Sequence, residues 1–129
     1  MSIKLLKDFI ESRKIARILV FLIALEIFYF SSLEGDKIQN SVFSLSVIYH
    51  FSVFFLLNFF LLVSLNNKKR IKISLFLFSI FLSLVYSILD EIHQVFVPFR
   101  DASLHDILVN NLGIFSSSLV YIRLKNHNR

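Results

Sequence analysis

The stretch "SILDEIHQVFVPFR", residues 87–100, sets two acids, a histidine and an amide side by side at the end of an apolar run. Carboxylates held close together away from water suit general acid/base work. Asp90 or Glu91 could serve as the proton-transfer group, with His93 or His50 as its partner. Arg100 follows within the same stretch, and its planar guanidinium can grip a carboxylate or a phosphate. Asp106 and Asn110 come next, four residues apart, and Tyr86 precedes the acids by one helical turn. Gln94, Arg100, Asp106, Asn110 and Tyr86 are therefore the candidate ligand contacts, and Asp90, Glu91, His93 and His50 the candidate catalytic groups. No cofactor motif is present. No zinc-type spacing exists, so no metal is expected. Were a divalent ion held by this stretch, Asp90, His93 and Asp106 would be the donors.

Plainer readings exist for each group. Asp90 and Glu91 could end a helix at an interface, and His50 could be a structural histidine. Asp106 could be a first-turn acid favoured by the helix dipole, and His105 an exposed linker residue.

The elements that must carry these residues are apolar. The chain has 129 residues, 56% of them hydrophobic and 18% charged, with a mean hydropathy of +0.71. Soluble domains are about 45–50% apolar and about 25% charged. Two glycines and one proline leave little material for turn-rich β architecture. Cysteine is absent, which excludes disulfides and thiolate metal sites. Four apolar segments span about 15–32, 45–65, 71–89 and 104–124. Each is near the roughly 20 residues that cross a bilayer as a helix, the form that satisfies its own backbone in lipid. The expectation is an all-α polytopic membrane protein, a four-transmembrane-helix bundle making a single domain over 1–129. The first segment is expected to remain as a span. Glu26 within it and the lack of a small-residue cleavage site fit a signal peptide poorly.

Charge orients the bundle. Lys4, Lys7, Arg13, Lys14 and Arg17 precede or open the first segment. Lys68, Lys69, Arg70 and Lys72 lie between the second and third, and Arg123, Lys125 and Arg129 close the chain. These are twelve of the 14 basic residues; only Lys37 and Arg100 fall in the other linkers. By the positive-inside rule both termini are cytoplasmic. The net charge of +5 is thus a topology signal, and no nucleic-acid partner is expected.

This orientation draws Glu26, His50, Asp90, Glu91, Asp106 and Asn110 toward the outer leaflet. At about 100° per residue, Ser83, Tyr86, Asp90 and Gln94 share one helical stripe, with His93 adjacent. Asp106, Asn110 and Gly113 share another, where the glycine would admit a neighbouring helix. Ionisable groups inside a membrane usually face a bundle interior or a wet cavity.

The segment "LDEIHQVFVPFRDASLHDILVNNLG" resembles the VanZ-like family of small bacterial membrane proteins. The family pattern is an acidic D-E-x-x-Q-like box, an arginine a few residues on, and D-x-x-x-N-x-x-G opening the last span. Asp90, Glu91, Gln94, Arg100, Asp106, Asn110 and Gly113 match it. His50 in "IYHFSVFFLL" and the "FYFSSLEG" end of the first segment resemble further family positions, and the likeness covers roughly residues 18–124. Asp101, where a small residue is usual, departs from it. The resemblance implies a multi-pass protein of the bacterial cytoplasmic membrane, related to teicoplanin resistance.

Two function classes follow. A binding factor would hold a membrane lipid, a wall precursor or a lipid-anchored antibiotic at the outer leaflet. An enzyme would act by acid/base chemistry on a lipid or lipid-linked sugar. A transporter is weaker, since no internal repeat is evident. Oligomeric state is not encoded legibly.

Overall fold

The computed structural model describes residues 12–34, 43–66, 71–100 and 102–127. Lys4, Lys7, Lys37, Lys68, Lys69, Arg70, Asp101 and Arg129 lie outside them. The described residues form four helices and no strand: α1 (Arg13–Ser31), α2 (Phe43–Leu65), α3 (Ile73–Val95) and α4 (Leu104–His127).

Three of these, α2, α3 and α4, contain stretches long and apolar enough to cross a membrane: Leu45–Leu65, Ile73–Val95 and Leu104–Asn126. At about 1.5 Å per residue, stretches of 21 to 23 residues cover a hydrocarbon core about 30 Å thick. α1 has 19 residues but carries Arg13, Lys14, Arg17 and Glu26, so its length and composition alone do not make it a span.

The helices pack with the polarity of a soluble protein inverted. On α3, Ser79, Ser83 and Ser87 are buried, while Leu77, Phe78, Phe81, Leu82, Ile88 and Leu89 are exposed. In water that outer surface would be prohibitive; against acyl chains it is at home. The apolar core joins Ile23 and Ile27 of α1, Val53, Phe54 and Leu57 of α2, and Ile114 of α4. A second cluster gathers Ala16, Leu62, Val63 and Tyr121 at the other end.

α2 and α4 make the closest pair. A Cβ on Gly113 would sit 2.4 Å from the Phe51 carbonyl oxygen, a distance no side chain tolerates. Glycine therefore sets the separation of the two backbones. Two turns further on, Asn58 of α2 is fully buried. Its amide nitrogen lies 3.0 Å from the Ile114 carbonyl, 2.7 Å from Ser117 Oγ and 2.9 Å from Ser118 Oγ, and its oxygen accepts from Ser83 Oγ at 3.1 Å. One residue thus ties α2, α3 and α4 together.

Two arginines satisfy carbonyls at helix C-termini, where cations complement the dipole. Arg13 reaches the Ser64 and Leu65 carbonyls at the end of α2. Arg100 reaches the Phe30 and Leu33 carbonyls at the end of α1. The α2–α3 connection is closed by Asn66, whose Oδ1 accepts from the Lys72 N–H at 3.1 Å.

The acidic box lies within α3, where the sequence placed it in a linker. Its charges read as leaving the apolar zone, but Ser31 of α1 and the Ser103 N–H just before α4 bond the two acids, and the helix runs on to Val95. Pro98 then prevents continuation, and Phe99 adopts a left-handed φ of 59° that turns the chain toward Arg100.

Candidate functional site

Helix phase brings Asp90, Glu91 and Gln94 to the buried side of α3, each at most 6% exposed. They form two adjoining polar groups at the end of the bundle where α1 and α3 finish and α2 and α4 begin.

The first group faces α1. The Ser31 hydroxyl donates to Asp90 Oδ1, and Gln94 Nε2 donates to Asp90 Oδ2 at 3.2 Å. Ser32 Oγ donates to the Phe28 carbonyl at 2.7 Å and lies 2.9 Å from His93 Nε2. A hydroxyl has one proton. His93 Nε2 is therefore the donor to Ser32, and its ring stacks on Phe28 at 4.9 Å. Tyr86 donates its phenol to the Ala24 carbonyl at 2.7 Å. Nearby, the Tyr49 hydroxyl is buried without a hydrogen-bond partner among the described residues.

The second group faces α2 and α4. His50 Nδ1 lies 3.1 Å from Asn110 Oδ1, and Asn110 Nδ2 donates to Ser87 Oγ at 3.1 Å. The amide orientation makes its oxygen the acceptor, so His50 carries its proton on Nδ1. Its Nε2 lone pair is left for another partner. The Ser103 N–H donates to Glu91 Oε2 at 3.0 Å, while Glu91 Oε1 is buried with no hydrogen-bond partner among the described residues. His50, Glu91 and Asp106 each present one potential ligand atom, all within 4.8 Å of one another. Asp106 also faces His105 at 3.6 Å, an exposed and weak pairing.

The candidates named from sequence thus divide. His50, Glu91, Asp106 and Asn110 come together; Asp90, His93 and Gln94 satisfy α1; Tyr86 bonds to the α1 backbone. The trio Asp90, His93 and Asp106, set out as donors for a divalent ion, is replaced by His50, Glu91 and Asp106. Arg100 points two nitrogens at backbone carbonyls, where the sequence reading gave it an acid or a ligand anion to hold. Glu26 is exposed on α1 and makes no hydrogen bond to these groups among the described residues. Ser31, Ser32, Ser87 and Tyr49 escaped sequence reasoning. The serines at 79, 83 and 87 repeat every fourth position, a legible stripe, and Ser31 had the family-like segment as its signal.

Chemically, a free carboxylate oxygen beside an imidazole lone pair can accept hydrogen bonds from hydroxyl or ammonium groups, or remove a proton from one. The VanZ/LLP1 family model matches residues 6–125, nearly the full chain. No curated protein and no solved structure matches it.

Proposed function

The chain belongs to the VanZ/LLP1 family, and from that premise we propose that it is a multi-pass protein of the bacterial cytoplasmic membrane. It is a single domain over 1–129 whose polar site binds a membrane lipid or a lipid-linked envelope molecule. A wall precursor or an acyl-tailed antibiotic such as teicoplanin is the ligand class in view, linking the protein to glycopeptide resistance. Both termini are cytoplasmic in this reading, and the site opens toward the outer leaflet. α1 is the fourth span: Arg13, Lys14 and Arg17 snorkel at its inner end, leaving Ile18–Phe30 in the acyl region.

The observation that carries the reading is Glu91 Oε1, a buried carboxylate oxygen with no hydrogen-bond partner among the described residues. Leaving such a group unsatisfied costs several kcal/mol in hydrocarbon. A head-group hydroxyl or ammonium removes that cost. Lipid extracted from purified wild type and from Glu91→Gln and Asp106→Asn variants tests this. Wild type should retain a defined lipid species that both variants lose. Equal lipid content in all three would defeat it.

A second reading is favoured by His50, Glu91 and Asp106 lying within 4.8 Å. That geometry suits a membrane enzyme in which Glu91 and His50 move a proton on a lipid or lipid-linked sugar. Comparing whole-cell lipid profiles of wild type and Glu91→Gln separates the classes. An enzyme leaves a missing or accumulated species; a binding factor leaves the profile unchanged.

A further inference from the structure

We infer that His50, Glu91 and Asp106 bind one divalent transition-metal ion.

The three side chains come from three helices, and their ligand atoms converge within 4.8 Å. Donors sharing a tetrahedral ion at 2.0–2.2 Å lie about 3.3–3.6 Å apart. A contraction of at most about 1.5 Å closes the set. Asp106, half-buried on the first turn of α4, has the rotamer freedom to supply it.

Each donor is prepared for the role. The Asn110 amide fixes His50 with its proton on Nδ1, so the ring's lone pair is on Nε2. Metal-ligating imidazoles are oriented this way by a partner on the other nitrogen. Glu91 is 2% exposed, with one oxygen anchored by the Ser103 N–H and the other without a partner among the described residues. An acidic pair beside an unpartnered oxygen inside a low-dielectric bundle calls for positive charge. Arg100 contributes charge only from a distance, since its Nε and Nη2 donate to the Leu33 and Phe30 carbonyls. Asp90 and His93 are already engaged by Ser31, Gln94 and Ser32.

The donor types choose the ion. An imidazole with two carboxylates suits Zn²⁺ or Mn²⁺. Ca²⁺ would ask for six to eight oxygens, and Mg²⁺ keeps most of its water. Three protein donors leave open positions, as in catalytic rather than structural sites. The ion also explains how an acid-rich site could accept an anionic head group. The metal site is independent of that consequence and stands or falls by its own measurement.

The test uses the full chain, purified on a tag without histidine, placed in neutral phosphatidylcholine nanodiscs and stripped with EDTA. Zn²⁺ and Mn²⁺ are titrated in, with bound metal counted by mass spectrometry. Wild type, Asp90→Asn and His93→Gln should each take one ion per chain. His50→Gln, Glu91→Gln and Asp106→Asn should weaken affinity roughly tenfold or more, and Asn110→Ala by about 10–100-fold. Mn²⁺ bound to wild type should show nitrogen hyperfine coupling that His50→Gln abolishes. Circular dichroism identifies any variant that has lost its helices. No stoichiometric uptake by wild type overturns the site, as does uptake that survives Glu91→Gln and His50→Gln. Either failure leaves the lipid-retention measurement standing, because that is read from extracted lipid without added metal.

Discussion

His50 and Asn110, sixty residues apart in sequence, share a hydrogen bond of 3.1 Å that joins α2 to α4 inside the bundle. Because the Asn110 nitrogen is committed to Ser87, the bond has one direction and one histidine tautomer. Nitrogen-15 chemical shifts of labelled His50 in chelator-treated protein should show Nδ1 protonated and Nε2 bare. Asn110→Ala should release the ring, moving it toward the Nε2-protonated form that free histidine prefers. An unchanged tautomer in the variant would mean that Asn110 does not set it.

Arg100 caps α1 from a loop shaped by Pro98 and the left-handed Phe99. A lysine cannot reproduce that fork. Arg100→Lys should loosen the last turn of α1, seen as several-fold faster amide exchange around Phe30–Leu33. Exchange in the middle of α1, near Ile23, should stay as it was. The loosening also frees Ser31 from Asp90, so the same variant should weaken the α1 side of the site while sparing His50.

Asn58 has a structural role that its neighbours cannot share. Replacing it with leucine preserves bulk and removes its bonds to Ile114, Ser117, Ser118 and Ser83. The cost is moderated because Ser117 and Ser118 already donate to the Ile114 carbonyl. Interhelical hydrogen bonds in membranes average about 0.6 kcal/mol, so Asn58→Leu should destabilise by about 1–2 kcal/mol. Reversible unfolding in mixed micelles would measure it. Leu56→Ala, on an exposed face of the same helix, should cost clearly less.

Much of this was legible in the sequence. Segment length and apolarity gave α2, α3 and α4, and the spacing of Asp106, Asn110 and Gly113 gave the inner face of α4. The "DEIHQ" box announced a polar centre. What stayed hidden has physical causes. Near a helix end, one residue of phase decides which acid faces which neighbour. That is why Glu91 joins His50 while Asp90 turns to Ser31. Arg100 bonds to backbone carbonyls, which carry no residue identity to read. Glu26 is exposed on α1, because position along a helix does not fix azimuth. Asn58 is visible as the one amide in "VFFLLNFFLLV", but its partners Ser83 and Ser117 lie on other helices, and no spacing along the chain relates them.

Orientation has a clean test because the chain has no cysteine of its own. A single introduced thiol therefore reports alone. Ala102 and Glu34 are exposed, at the end of the bundle that holds the site. Asn126 is exposed at the opposite end of α4, and Ser12 precedes α1. If the positive-inside rule governs this protein, Ala102→Cys and Glu34→Cys should react with an impermeant maleimide in intact cells. Asn126→Cys and Ser12→Cys should react only after permeabilisation. The Ser12 and Glu34 pair decides whether α1 crosses the bilayer, the point that its four charged residues leave open to composition. Labelling of both in intact cells would make α1 a surface helix and place Arg13 outside. Reversal of all four patterns would put the His50, Glu91 and Asp106 cluster on the cytoplasmic side.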